Sequence, residues 1–451
     1  MSKQRIHLIA IGGSAMHNLA LALAEQGHSV SGSDDEVFEP SRSRLANKGL
    51  LPNTMGWDAS RIDSSLDLVV VGMHARSDNP ELKKALELKI PVYSYPEYLY
   101  EASKDKTRVV ITGSHGKTSI TAMILHALNF HGHDCDYMVG AQLEGFDTMV
   151  KITDENEFML IEGDEYLSSP LDPRPKFIHY KPNIALLSGI AWDHYNVFPN
   201  YQDYFHQFEL LMECIDSGGL IIYNEDDPEV VRVVEESKNE IKKFPYGKPK
   251  YHVENRKFVL ETFEGDLDLK VFGAHNMSNL EGARWICSQM GLTDEEFYEA
   301  IVEFEGASKR LEPLFKGPNF EVFRDFAHAP SKVKATLNGT REAYADRKIM
   351  AVLELHTFSS LNAEFIQQYK GSMDAADLAI VYFNPSVIAH KKLAPLSPEI
   401  VQKAFGNEAI KVIDESKALE DYVLSNAGQH EVLLLMSSGN FDGIDWSKHF
   451  Q

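Results

Sequence analysis

The sequence predicts an α/β chain of three domains, each built on an open and mostly parallel sheet. Two observations carry this, and length agrees with them. Short apolar runs alternate with helical patterns along the chain, as when parallel strands are joined by crossover helices. Several of those runs end in glycine turns that open a helix, which places ligands at the carboxyl edge of such a sheet. A length of 451 residues suits about three domains of ordinary size.

Residues 6–11 read as a buried strand, Gly12-Gly13-Ser14 as its turn, and residues 15–26 as a helix rich in alanine and leucine. Residues 29–32 form the next strand, and Asp34 follows it, 21 residues after Gly13. Strand, glycine turn, helix, strand and acid make a nucleotide-binding βαβ unit. Ala15 and His17 occupy positions where the dinucleotide fingerprint has later glycines. A mononucleotide or sugar nucleotide is therefore expected ahead of a nicotinamide cofactor. Residues 68–72 are another strand, followed by a loop with His74 and Arg76, a helix from Glu81, and a short strand at 91–93.

Val109, Val110 and Ile111 then run into Thr112-Gly113-Ser114-His115-Gly116-Lys117-Thr118-Ser119, which opens a helix reaching about Phe130. A strand that turns through glycines into a helix N-terminus directs backbone N–H groups and the positive dipole end at an anion. Lys117 would reach the terminal phosphates of a nucleoside triphosphate, and the Thr118 hydroxyl would sit on magnesium. Only Ser114 and His115 separate the two glycines, and Ile111 stands where the common pattern has its first glycine. By itself the stretch also reads as a plain glycine turn before a helix.

Residues 158–161 are a strand that delivers Glu162, Asp164 and Glu165. Acids so placed hold magnesium directly or through water, or form a surface cluster. Residues 184–187 lead to Asp193 and His194; a neutral imidazole is an acceptable further ligand, with a structural role as the alternative. Residues 258–272 read as strand material with a hairpin turn at Gly265-Asp266. Asn276 and Asn279 share one face of the next helix, suited to a base or ribose or to capping the helix.

Residues 305–310 read as a linker in which Lys309 and Arg310 supply paired charge, functional or merely solvated. Strands at 320–323, 349–353, 378–382 and 431–436 build the last sheet, with Asp325 and His328 after the first and His356-Thr357-Phe358-Ser359 after the second. The expected organisation is a Rossmann-like N-terminal domain at 1–105, a central P-loop ATPase-like domain at 106–308, and a C-terminal dinucleotide-fold-like domain at 309–451.

A formal charge of −23 argues against general nucleic-acid or anionic-membrane partners. It leaves room for anionic small ligands in a locally positive pocket. Three scattered cysteines suit a reducing compartment. The N-terminal apolar run is too short for a signal peptide, and no stretch reaches membrane-spanning length. A cytoplasmic chain, monomeric or weakly dimeric, is expected.

Six blocks in this order resemble the Mur ligase family of cell-wall enzymes over essentially the whole chain. They are the 112–119 loop, Glu162-Gly163-Asp164-Glu165, Asp193-His194, Gly273 to Asn279, Arg310 and Asp325 to His328. The short loop spacing is the one this family uses. The resemblance implies ATP and Mg2+ as cofactors and UDP-N-acetylmuramate as a substrate. Gly12, Gly13, Ser14, Asp34, His74 and Arg76 would bind the UDP-sugar. Gly113, Ser114, His115, Gly116, Lys117, Thr118, Ser119, Asn276, Asn279, Arg310 and Asp325 would bind ATP. Thr118, Glu162 and His194 would hold metal, with Lys117, His194 and His328 as catalytic residues and His356, Thr357 and Ser359 near the amine donor.

Residues 162–198 and 436–444 are most similar to the branch whose donor is the tripeptide L-alanyl-γ-D-glutamyl-meso-diaminopimelate, used in peptidoglycan recycling. The segment from His356 is similar to that of the branch adding L-alanine. Both branches usually carry arginine there, yet residues 354–364 contain none, and Ala329 stands where a second histidine is common. A nicotinamide-dependent oxidoreductase is the rival of another class, and it leaves Gly116-Lys117-Thr118 unexplained.

Overall fold

The computed structural model describes residues 3–73, 75–143, 145–169, 172–306 and 311–450. Buried apolar strands with helices between them give three largely parallel sheets, as the alternation predicts. One compact unit comprises Met1–Gly189, His206–Tyr246 and Trp285–Leu292; the other comprises Ile190–Phe205, Gly247–Arg284 and Thr293–Gln451.

Among the described residues the first unit holds a front sheet, a larger sheet and a two-stranded antiparallel ribbon of Leu167–Ser169 and Asp172–Pro175. The front sheet runs Ser29–Ser33, Arg5–Ile9, Leu68–Val71, Val92–Ser94, all parallel. Its first strand stops at Ile9, two residues before the apolar run does. Ala10 adopts φ +67°, and the N–H groups of Ala10 and Ile11 both donate to the Ser33 carbonyl, which turns the chain early. The larger sheet has seven strands, with Thr107–Thr112 between Ile184–Leu187 and Phe158–Glu162. Its register sets Thr112 beside Leu187 and Ile111 beside Glu162, so all three strands end at one level. At the other end Arg108 is buried, donating to the Tyr180 carbonyl at 2.8 Å and pairing with Asp216 at 2.7 Å. That pairing anchors the strand from which the Gly113–Ser119 loop departs.

The second unit holds a six-stranded sheet ordered Glu312–Lys316, Glu321–Asp325, Val432–Met436, Ile349–Leu355, Leu378–Phe383, Lys411–Ile413. Only its first strand is antiparallel to its neighbour. The same unit carries a three-stranded antiparallel sheet, Tyr251–Glu254, Lys257–Thr262 and Gly265–Leu269. There the hairpin turn is Phe263-Glu264, not Gly265-Asp266, because Thr262 pairs with Gly265. The Thr262 hydroxyl closes the turn by accepting from Glu264 N–H at 3.2 Å and donating to the Gly265 carbonyl at 2.7 Å. No helix among the described residues is long and apolar enough to cross a membrane.

Candidate functional site

Strand Thr107–Thr112 is buried over its last five residues, and its chain leaves the sheet through Gly113 at φ +122° and Gly116 at φ +83°. Such angles strain any residue with a Cβ. On Gly113 a Cβ would also collide with Ser188 Oγ and lie 3.0 Å from Gly189 N. Gly116 caps helix Lys117–Phe130 with no side-chain hydrogen bond, which leaves first-turn N–H groups for an anion. The floor of the loop comes from the neighbouring strand end. Ser114 N–H donates to the Gly189 carbonyl at 2.9 Å, and the Ser188 hydroxyl donates to the carbonyls of Thr112 (3.1 Å) and His115.

Lys117 Nζ lies 2.6 Å from the Gly113 carbonyl and 2.6 Å from Glu165 Oε2. Burial works against its charge, but the carboxylates of Glu165, Asp164 and Glu162 outweigh burial and raise its pKa. Glu165 is fully buried, and a partner 48 positions away leaves no local pattern from which that pairing could be read. The Thr118 hydroxyl donates to Glu162 Oε2 at 3.1 Å. Burial holds the Glu162 carboxyl above its ordinary range, opposed by the Gly140 N–H, Lys117 and Thr118. Its Oε1 is buried without a hydrogen-bond partner among the described residues. A spare carboxylate oxygen beside a hydroxyl is a hard-oxygen donor set, and these residues fit magnesium.

In the front domain, Gly12, Gly13 and Arg76 line a crevice of about 840 Å³ with Phe38, Trp57 and Met73. Ser14 begins helix Ser14–Glu25. Asp34 lines the same crevice. Its carboxylate lies beneath the turn, 1% exposed, with Oδ2 accepting Gly12 N–H at 2.7 Å and Oδ1 accepting Asp35 N–H at 2.9 Å. Burial and its neighbour Asp35 push its pKa up to about 6. His17 fills the place of a fingerprint glycine, buried and 3.0 Å from the Gly13 carbonyl. His74 and Arg310 lie outside the described residues.

The second unit carries the remaining expected residues, so Thr118 and Glu162 belong to one unit and His194 to the other. His194 sits at φ +54°, and the N–H groups of Val197 and Phe198 close on its carbonyl at 2.8 and 2.9 Å. Asp193 accepts the His194 N–H at 2.8 Å and pairs with Lys332 at 3.2 Å. Burial pushes the Asp193 carboxyl up, but Lys332, His194 and His328 together hold it well below the usual carboxylate range. Lys332 has no signal in the sequence; only the packing of helix Pro330–Ala343 brings it to Asp193. His328 Nδ1 lies 2.8 Å from the Phe326 carbonyl, which protonates Nδ1 and makes Nε2 the basic atom of the neutral ring.

Asn276 and Asn279 are joined side chain to side chain at 3.2 Å, and Asn276 also donates to the Phe272 carbonyl at 3.0 Å. Asp325 is buried and accepts the N–H groups of Leu311 (2.8 Å) and Ala327 (2.7 Å) and the Thr336 hydroxyl (3.2 Å). His356 stands 3.7 Å from the buried Glu354 carboxylate. Thr357 closes a turn on Ser360, and Ser359 accepts the Tyr195 N–H at 3.1 Å.

Comparison with known proteins matches the chain in three consecutive parts. Residues 5–107 match the Mur ligase family catalytic domain, 111–287 the Mur ligase middle domain, and 309–439 the Mur ligase glutamate ligase domain. A UDP-N-acetylmuramate–L-alanine ligase of Sulfurihydrogenibium sp. is 30% identical, covering 84% of this chain and 82% of its own. The Escherichia coli UDP-N-acetylmuramate–L-alanyl-γ-D-glutamyl-meso-2,6-diaminoheptandioate ligase is 28% identical over 98% of this chain and 96% of its own. The crystal structure of a UDP-N-acetylmuramate–alanine ligase from Thermotoga maritima shares the fold, with a TM-score of 0.68, 21% identity, and coverage of 98% and 97%.

Proposed function

The chain belongs to the Mur ligase family of ATP-dependent, C–N bond-forming ligases, and from that premise we propose that it joins UDP-N-acetylmuramate to L-alanyl-γ-D-glutamyl-meso-diaminopimelate. The observation that carries the chemistry is the Gly113–Ser119 loop, whose helix has no side-chain cap, with Thr118 on Glu162 Oε2 and Glu162 Oε1 without a hydrogen-bond partner among the described residues. The whole-length likeness to the Escherichia coli tripeptide ligase supports the donor.

The lactyl carboxylate of N-acetylmuramate is a poor electrophile. Its oxygen attacks the γ-phosphorus of ATP, ADP leaves, and an acyl phosphate forms. The donor's neutral amine then attacks the acyl carbon, and phosphate leaves with the C–O bond. Lys117 and the loop N–H groups stabilise charge on the phosphoryl group in flight, the main requirement of such transfers. Thr118 and Glu162 would hold magnesium, with His194 as a further ligand. That ion, when bound, neutralises charge on phosphate and carboxylate oxygens. His328 Nε2 takes the proton released by the attacking amine. Asn276 and Asn279 face the nucleotide as a bonded pair, Arg310 contacts it, and Asp325 acts through the Leu311 N–H next to Arg310. Gly12, Gly13 and Arg76 bind the UDP moiety in the front crevice.

A second reading has L-alanine as donor, favoured by the 30% identity to an L-alanine ligase. The test offers the tripeptide and L-alanine separately with ATP, Mg2+ and UDP-N-acetylmuramate, reading phosphate release and product mass. Amide product with the tripeptide and little with L-alanine supports the first reading; the reverse supports the second. Phosphate release without any amide overturns both.

A further inference from the structure

Strands Ile349–Leu355 and Leu378–Phe383 are parallel neighbours, with Leu355 opposite Phe383. The segments that follow them therefore leave the same carboxyl edge side by side, where open α/β sheets bind ligands. One segment carries His356, Thr357 and Phe358. The other forms helix Pro385–His390 and ends at Lys391. Lys391 Nζ stands 4.4 Å from the centroid of the Phe358 ring, and that ring is 44% exposed.

The acids on this edge are already engaged. Glu354 accepts from the Ser437 hydroxyl and, at 2.9 Å, from Phe441 N–H. Asp442 accepts from the Tyr382 hydroxyl and the Asn384 amide. The Lys391 ammonium has no ion pair or hydrogen bond among the described residues, in a chain of net charge −23. Seated over an aromatic face and with no anion bonded to it, this ammonium offers a cation to a carboxylate.

We propose that Lys391, seated on Phe358, is a specificity-determining residue that binds a carboxylate of the amine donor. The proposal rests on the ligase reading, since an amino-acid or peptide donor brings at least one carboxylate to this edge. Residues 354–364 contain no arginine. The cation is supplied by the adjacent strand's loop as a point charge rather than a planar fork, and so tolerates donors whose carboxylates sit at different angles.

Steady-state kinetics on wild type, Lys391→Ala and Lys391→Arg test it, with the tripeptide, L-alanine and the amidated form of each. Lys391→Ala should raise KM for the preferred donor about 10-fold, the scale of one charge-assisted contact, with kcat and the KM for ATP little changed. Lys391→Arg should recover most of that loss. The wild-type preference for the free carboxylate over its amide should shrink toward one in Lys391→Ala. An unchanged donor KM, or an undiminished preference, overturns the proposal. Hydroxylamine separates the two levels: wild type with ATP and UDP-N-acetylmuramate should yield hydroxamate from an acyl phosphate. No hydroxamate and no amide would sink the ligase chemistry itself, whereas hydroxamate with an unaltered Lys391→Ala sinks the lysine alone.

Discussion

Glu162 ends a parallel strand and Asp34 follows one, each near a glycine turn, and burial raises the pKa of both carboxyls. Both oxygens of Asp34 are occupied by backbone N–H groups of its own turn. Glu162 gives one oxygen to Thr118 and keeps the other buried and unpartnered. The same chemical group in the same kind of place thus braces backbone with both oxygens in one sheet and leaves one oxygen unbonded among the described residues in the other. In the C-terminal sheet Asp325 and Glu354 side with Asp34, since each holds neighbouring N–H groups. A strand-end acid points to a ligand only where the fold leaves one of its lone pairs over.

The sharpest way to break the contrast is to remove the Lys117 ammonium, which pairs with Glu165 and whose charge acts on Glu162. Lys117→Ala should lower turnover at least ~100-fold, the scale of losing one transition-state charge donor. The readout is phosphate release at saturating substrates, and near-normal turnover would remove the phosphate-loop assignment. Glu162→Gln should cost roughly 100-fold in turnover at low magnesium, with partial recovery as magnesium rises. Its thermal midpoint at pH 8 should hold or rise, because a carboxyl with a raised folded pKa lowers stability once ionised. A variant that keeps its activity and loses stability would place Glu162 with the acids that brace backbone.

Asp34→Asn probes the other side. With its pKa raised from 3.8 to about 6, the folded chain binds more protons than the unfolded one between those values. Wild-type stability should therefore fall as pH climbs through that window, with the full cost present above it. Denaturant unfolding across pH should show the Asn variant gaining about 3 kcal/mol on wild type over the window. Parallel curves would show that Asp34 does not titrate there. The smallest effect is expected at Thr357→Ala, about 1 kcal/mol for a lost turn cap, measured by urea unfolding. An increase in donor KM without that loss would make Thr357 a donor contact instead of a cap.

The loop, its helix and Glu162 were legible in the sequence because each is a local pattern: an apolar run, two glycines, a lysine, an acid after the next run. What those residues touch was not. The Lys117–Glu165 and Asp193–Lys332 pairs join residues far apart in the chain, and no periodicity marks them. Strand Glu312–Lys316 has little sequence signal because it is short, lies on a sheet edge and carries Pro313 beside a register shift. The hairpin turn was misplaced by two residues because Gly265, at φ +132°, begins the return strand instead of occupying the turn. Spacing brings Asp34 to the front crevice, but its bonds to the Gly12 and Asp35 N–H groups have no signal in the sequence.

Ser188 and Gly189 pack directly against the loop that leaves strand Thr107–Thr112. Ser188 Oγ blocks any Cβ on Gly113, and a Cβ on Gly189 would approach His115 Nε2 to 2.8 Å. The shortened loop and the end of the adjacent strand are complementary surfaces, each shaped to the other's missing atoms. They behave as one interchangeable part: a loop of ordinary length grafted between Thr112 and Lys117 would fit only if Ser188 and Gly189 were recast with it.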